Sequence, residues 1–145
     1  RYLDHGYCFQ RARIEASAIL VATGVRRRRL EVPGERELEG RGVSWSATQD
    51  RARFAGEEVV VAGGGDAAFE NALLLADVGC SVTLAVRGTP RARREFRERV
   101  AASPRVEVLD GTQVTAVLGD DRVRAVAVTT RGLPVPNGPA HGTWE

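Results

Sequence analysis

Apolar and polar positions change period along this chain in an order that predicts a strand, a turn, a helix and a second strand between Glu57 and Arg87. Val59, Val60 and Val61 are consecutive and β-branched, which suits a strand buried on both faces in a parallel sheet. Gly63, Gly64 and Gly65 end that run. Helical spacing then takes over, because Ala68, Ala72, Leu75 and Gly79 form one stripe whose last member suits a C-terminal stop. From Ser81 to Val86 the pattern returns to strand. An arginine-rich helix is expected from about Pro90 to Ala102, and a short strand from Arg105 to Leu109. Thr112 to Leu118 and Arg122 to Thr130 alternate in polarity and are joined through Gly119, Asp120 and Asp121, so they read as a hairpin.

The flanks are less regular. Two short strands are expected near Tyr7 to Gln10 and Ala18 to Ala22. Val25 to Arg53 has little periodicity and holds Pro33, Gly34, Gly40 and Gly42, so it reads as a long connection. Past Gly132 the prolines and glycines deny a regular element, and a disordered tail is expected over 132–145.

The glycine turn carries the candidate chemistry. Gly63 and Gly65 fit the first two positions of G-x-G-x-x-G/A, and Ala68 fills the third, where a small side chain lets helix and strand pack closely. Gly65, with Gly64 beside it, would let the backbone approach a pyrophosphate held by the positive helix end that starts with Asp66 and Ala67. Asp66 also suits a helix cap. The fold class expected is therefore α/β, a Rossmann-like three-layer dinucleotide-binding domain carrying a β-hairpin.

The tip of the second strand bears on which dinucleotide binds. An acid there would accept the ribose hydroxyls of NAD, and a cation the extra phosphate of NADP. Val86 is followed by Arg87, with Arg91, Arg93 and Arg94 close behind, so NADPH is favoured and NADH remains open. The three later arginines equally suit the solvated face of a helix.

Composition narrows the setting. With 145 residues, 43% apolar and 28% charged, the chain has the balance of a globular domain. Its net charge of +2 does not argue for nucleic acid, and Arg26 to Arg29 lacks interleaved aromatics and reads as a solvated loop. No apolar run approaches the ~20 residues that span a bilayer. No partner membrane and no metal are expected, and the location expected is cytoplasmic. Cys8 and Cys80 stand apart from any histidine or second cysteine, which favours free thiols. All 21 basic residues are arginine and methionine is absent, so the chain reads as an internal fragment.

Five segments occur in a familiar order: Ala18 to Gly24 (A-I-L-V-A-T-G), Val32 to Glu35 (V-P-G-E), Gly40 to Ser44 (G-R-G-V-S), Val59 to Ala68 and Ser81 to Arg87. Together they resemble the bacterial-type thioredoxin reductases. The resemblance implies a flavoprotein with two Rossmann-like domains for FAD and NADPH, the second inserted in the first, and a homodimeric parent. It divides this chain into partial FAD-domain strands over 1–24, an interdomain connection over 25–55, an NAD(P)H-binding domain over 56–131 and the tail. Such enzymes pass electrons from nicotinamide through flavin to a C-x-x-C disulfide and on to thioredoxin.

At that last step the sequence departs from the pattern. Where the family carries C-A-T-C-D, this chain reads Ser46, Ala47, Thr48, Gln49, Asp50. A dithiol relay needs one sulfur to attack and one to resolve, and neither a hydroxyl nor an amide has such a couple. No catalytic residue is therefore assigned. Of the family's H-R-R at the strand tip, Val86, Arg87 and Gly88 keep one arginine. The segments that hold FAD in the family are missing, so FAD is expected only in an intact parent chain.

Two readings follow. One is the NAD(P)H-binding part of a thioredoxin reductase-like flavin oxidoreductase that serves an acceptor, with a redox partner protein as one option, without a resident dithiol. A ferredoxin, a quinone and a small disulfide all remain open as acceptor. The other is a non-catalytic dinucleotide-binding module, the remnant of a reductase.

Overall fold

The computed structural model describes residues 15–18, 20 and 28–131. Its centre is the strand, turn, helix and strand that the periodicity predicts. Strand β1 (Glu58–Ala62) runs into the glycine turn, helix α2 (Asp66–Asp77) follows, and β2 (Ser81–Val86) returns parallel to β1 with Val60 opposite Thr83. Before them lie a single-turn helix α1 (Ala47–Asp50) and a 3-10 turn (Arg51–Arg53). After them come α3 (Arg94–Ala101), β3 (Val106–Asp110) and a hairpin of β4 (Thr112–Leu118) and β5 (Ala125–Thr130).

The parallel sheet has the order β1-β2-β3, so β2 is central and its apolar side chains are the most buried. Leu84 and Val86 pack with Phe69 and Leu73 of α2 and Val100 of α3, while Val82 packs with Ala72, Leu75 and the Cys80 side chain. Both helices thus close over one face of the sheet. Cys80 is free and buried, and its thiol donates to the Phe54 carbonyl at 2.9 Å.

Strand β1 does not match the expectation of burial on both faces. Val59 and Val61 are half-buried and Val60 is 38% exposed. The reason is position, since β1 is the edge of the described sheet and α2 shields only one of its faces. Residues 1–14 and 132–145 lie outside the described set, and with them the expected strand near Tyr7 to Gln10 and the expected tail. Of the strand expected over Ala18 to Ala22, only Ala18 and Leu20 are described; neither is in a strand, and Leu20 is 90% exposed.

The connection is more organised than its sequence suggests. The Pro33 carbonyl accepts the Val117 N–H at 2.9 Å, and the Arg41 carbonyl accepts the Val123 N–H at 2.9 Å, so the segment docks along the hairpin. Glu35 is 1% exposed, and its carboxylate accepts the Leu30 and Glu31 N–H groups, both at 2.9 Å. Those two bonds hold Glu31 at φ +58°, a left-handed backbone that a glutamate seldom adopts. Glu35→Ala leaves both donors without partners inside the fold. Leu30 and Glu31 are exposed, so water takes up part of the loss. The variant is expected to destabilise by about 1–3 kcal/mol, two hydrogen bonds at about 0.5–1.5 each, read as a lowered midpoint in urea.

Candidate functional site

The three glycines of the turn have three different reasons to be glycine. At Gly63, φ is +150° and an added Cβ would stand 2.9 Å from the Ala68 Cβ, so two small residues let α2 lean on the end of β1. Gly63 N–H also donates to the Ala85 carbonyl at 3.0 Å, tying the turn to β2. At Gly64 an added Cβ would stand 2.9 Å from Val86 Cγ1 at the strand tip. At Gly65 it would meet nothing within 4 Å. Gly65 is the N-cap of α2 in extended backbone, φ −103° and ψ 177°, which any residue adopts. Neither packing nor conformation within the described chain requires a glycine there.

No side chain caps the start of α2. The first amides of a helix have no intrahelical acceptor, and the helix dipole places partial positive charge beside them. Gly63, Gly65, Ala67 and Ala68 together line an open trough that continues past Val60 and Val126. An anion can therefore approach the amides from the side where Gly65 has no Cβ.

The cap expected of Asp66 is absent. Its carboxylate turns instead to the loop after β2, where Oδ1 accepts the Arg93 N–H at 2.7 Å and Oδ2 accepts Arg93 Nε at 2.8 Å. The same loop donates the Arg91 and Ala92 N–H groups to the Gly64 carbonyl, at 2.6 and 3.1 Å. These bonds explain why α3 begins at Arg94 and not near Pro90. Arg93 is held at φ −56°, ψ 151°, outside the helical region, by acceptors on the neighbouring turn. Arg87 and Arg91 are exposed, and neither makes an ion pair with the described residues.

Ser46 lines the same open trough as Gly63, Gly65, Ala67 and Ala68, and Gln49 lies beside it on the short helix. Ser46 is the half-buried N-cap of α1, and Gln49 is exposed on that helix. The Ala47 N–H donates to Asn71 Oδ1 at 3.3 Å, which fastens α1 to α2. Ser44 Oγ donates to Asp50 Oδ2 at 2.6 Å and accepts the Ser46 N–H at 3.2 Å. Beside them Trp45 Nε1 donates to Glu39, which also takes Arg29, and the Arg29 guanidinium lies 5.1 Å from the Trp45 ring centre. The Trp45 and Arg29 hydrogen bonds hold the Glu39 carboxyl below the usual carboxylate range. Polar hydrogen bonds fill this corner, and the two positions under discussion carry a hydroxyl and an amide.

Residues 4–134 match the pyridine nucleotide-disulphide oxidoreductase family. The chain belongs to that family. Among the pyridine nucleotide-disulphide oxidoreductases it is 40% identical over 109 residues to the thioredoxin reductase of Streptomyces coelicolor, across 74% of this chain and 34% of the relative. It is also 40% identical over 112 residues to the thioredoxin reductase of Treponema pallidum, across 77% and 36%. The crystal structure of Lactococcus lactis thioredoxin reductase superposes with a TM-score of 0.73 at 36% identity, across 76% of this chain and 37% of that one. The chain spans about a third of the length of these curated relatives.

Membership accounts for the parallel α/β sheet with its glycine turn, the Rossmann-like architecture that the sequence pattern predicts. The structure brings Gly63 to Ala68 together at one helix end and sets the backbone of Arg91 against Gly64. Ser46 and Gln49 sit on or at the start of α1, which Asn71 fastens to α2, and Ser46 lines the same trough. Sequence reasoning missed the role of Arg93, which it treated as one of several surface arginines, and it missed Asn71. Neither left a local signal, because Asp66 and Arg93 are 27 residues apart and Ala47 and Asn71 are 24 apart. Among the described residues no helix is long and apolar enough to cross a membrane.

Proposed function

We propose that this chain is the NAD(P)H-binding part of a thioredoxin reductase-like flavin oxidoreductase, with NADPH preferred over NADH. The observation that carries the reading is Gly65, a glycine that nothing within the described fold requires, set at the open N-terminus of α2. A ligand whose backbone must come within hydrogen-bond reach of those amides supplies the missing reason, and a pyrophosphate fits in size and charge. Gly63 to Ala68 would hold the pyrophosphate, and Arg87 and Arg91 the 2′-phosphate. When bound, the reduced dinucleotide supplies a hydride. The protein's part is to fix its position and surround it with charge.

In the same reading 1–24 belongs to an FAD domain completed elsewhere in the parent, 25–55 connects the domains, 56–131 is the dinucleotide domain and 132–145 is a tail. FAD is proposed for that parent alone, which acts in the cytoplasm. Ser46 and Gln49 exclude a dithiol relay at their positions, so the proposed parent reduces its acceptor by another route. The absence of sulfur at Ser46 and Gln49 also supports a second reading, a dinucleotide-binding module without catalysis.

The test is calorimetric titration with NADPH and NADH on protein first inspected for a flavin absorption band. Micromolar NADPH binding that exceeds NADH binding supports the reading, and binding of neither sinks it. Arg87→Glu removes a phosphate-facing cation and adds a ribose acceptor. It is expected to lower the NADPH to NADH preference by at least about tenfold, the worth of one charge-assisted contact, and an unchanged ratio would show the 2′-phosphate lies elsewhere.

A further inference from the structure

The segment between β2 and α3 is fastened to the glycine turn at four points. Two are the Arg91 and Ala92 N–H groups on the Gly64 carbonyl, and two are the Arg93 N–H and Nε on the Asp66 carboxylate. Ala92 is 5% exposed and joins the core cluster of Leu84 and Val100, which seats the segment from beneath. Arg93 is braced in turn, by Glu95 at 3.0 Å and by the Phe96 ring, whose centre lies 4.9 Å away. What the fastening leaves unengaged is the pair of side chains on either side of Pro90, Arg87 and Arg91.

We propose that the side chains of Asp66 and Arg93 form a clamp that sets the dinucleotide preference of the Gly63–Ala68 cradle without themselves touching the ligand. Both carboxylate oxygens of Asp66 are taken up by Arg93, so Asp66 is a positioning residue. By holding the loop against the cradle, the clamp keeps the backbone of Arg87 and Arg91 in place before a 2′-phosphate arrives. Less ordering then remains to be done on binding. The benefit falls on NADPH, because NADH has no 2′-phosphate for those arginines to meet. Arg93 also neutralises an acid that would otherwise stand, as a negative charge, beside a bound pyrophosphate. The inference rests on the dinucleotide reading above.

The sign of one substitution separates a clamp from a mere nearby charge. Asp66→Ala removes a carboxylate from the neighbourhood of the phosphates, so on electrostatic grounds alone both dinucleotides should bind more tightly. If the clamp operates, NADPH dissociation constants rise about tenfold while those for NADH change by about twofold or less, because only the 2′-phosphate contacts lose their preset backbone. Arg93→Ala, at an exposed side chain, keeps the backbone bond to Asp66. It is expected to weaken NADPH about threefold in the same direction. Calorimetry on the full 145-residue chain reads both. Trypsin supplies a readout that needs no ligand, since cleavage after Arg87 and Arg91 is expected to quicken at least about fivefold in Asp66→Ala as the loop opens.

Unchanged or tighter NADPH binding in Asp66→Ala overturns the clamp and leaves the cradle standing. Unaltered cleavage of the loop overturns it as well. If Asp66→Ala does not fold, Arg93→Ala decides alone, and either NADPH affinity equal to the wild type or an equal loss for NADH overturns the proposal. A wild-type chain that binds neither dinucleotide removes the cradle and the clamp together.

Discussion

Gly65→Val is expected to abolish measurable NADPH binding while leaving the protein folded and nearly as stable as before. Its new Cβ would meet no atom within 4 Å beyond its own chain neighbours, and its backbone at φ −103°, ψ 177° is ordinary extended chain. Valine is a poorer N-cap than glycine, but it also restricts the unfolded chain, and the two effects offset to within about 1 kcal/mol. The branched side chain would instead occupy the approach to the first amides of α2. Losing two hydrogen bonds to a charged pyrophosphate, at roughly 1.5–3 kcal/mol each, weakens binding by at least about a hundredfold. Calorimetry for binding and thermal melting for stability check the two halves separately. Wild-type affinity in this variant would mean that no pyrophosphate sits against Gly65.

Gly34→Ala is expected to do the reverse, damaging the fold at a distance from the cradle. Gly34 has φ +81°, and a Cβ there would stand 1.9 Å from the Val117 backbone oxygen. No rotamer change relieves that overlap, because both atoms belong to the main chain or are fixed to it. The Val32 to Glu35 segment would have to lift away from β4, stretching the bond from the Val117 N–H to the Pro33 carbonyl. Left-handed backbone strain adds about 1–2 kcal/mol and the overlap about 1–3, so a loss of about 2–5 kcal/mol is expected. At about 2–4 °C per kcal/mol for a chain of this size, the melting temperature should fall by at least about 4 °C. An unchanged melting temperature would show that the connection does not dock on the hairpin.

The contrast between these glycines shows what a sequence discloses. In G-x-G-x-x-A the spacing alone marks Gly63, Gly65 and Ala68, and the structure separates their reasons: Gly63 for its approach to Ala68, Gly65 for open space. The hairpin was legible because alternation is a local signal, and β4 occupies Thr112–Leu118 as the pattern predicts. Strand β5 starts at Ala125 rather than Arg122, since the Val123 N–H goes to the Arg41 carbonyl and the Arg124 N–H to the Leu118 carbonyl. The start of α3 and the use of Asp66 were misread together. A carboxylate at a helix start is a good cap by residue type, and only its partner 27 residues away reassigns it.

By itself, then, the sequence determined the order of strand, glycine turn, helix and strand, the family resemblance and the absence of sulfur at Ser46 and Gln49. Each of these is written in residue types at short spacing, where periodicity and backbone preference act directly. Tertiary structure alone decided that Asp66 binds Arg93, that Val60 at the sheet edge stays exposed, and that Glu35 and Gly34 bring the connection onto the hairpin. Those outcomes depend on which groups far apart in the chain come within 3 Å of each other, and local pattern carries no record of that distance.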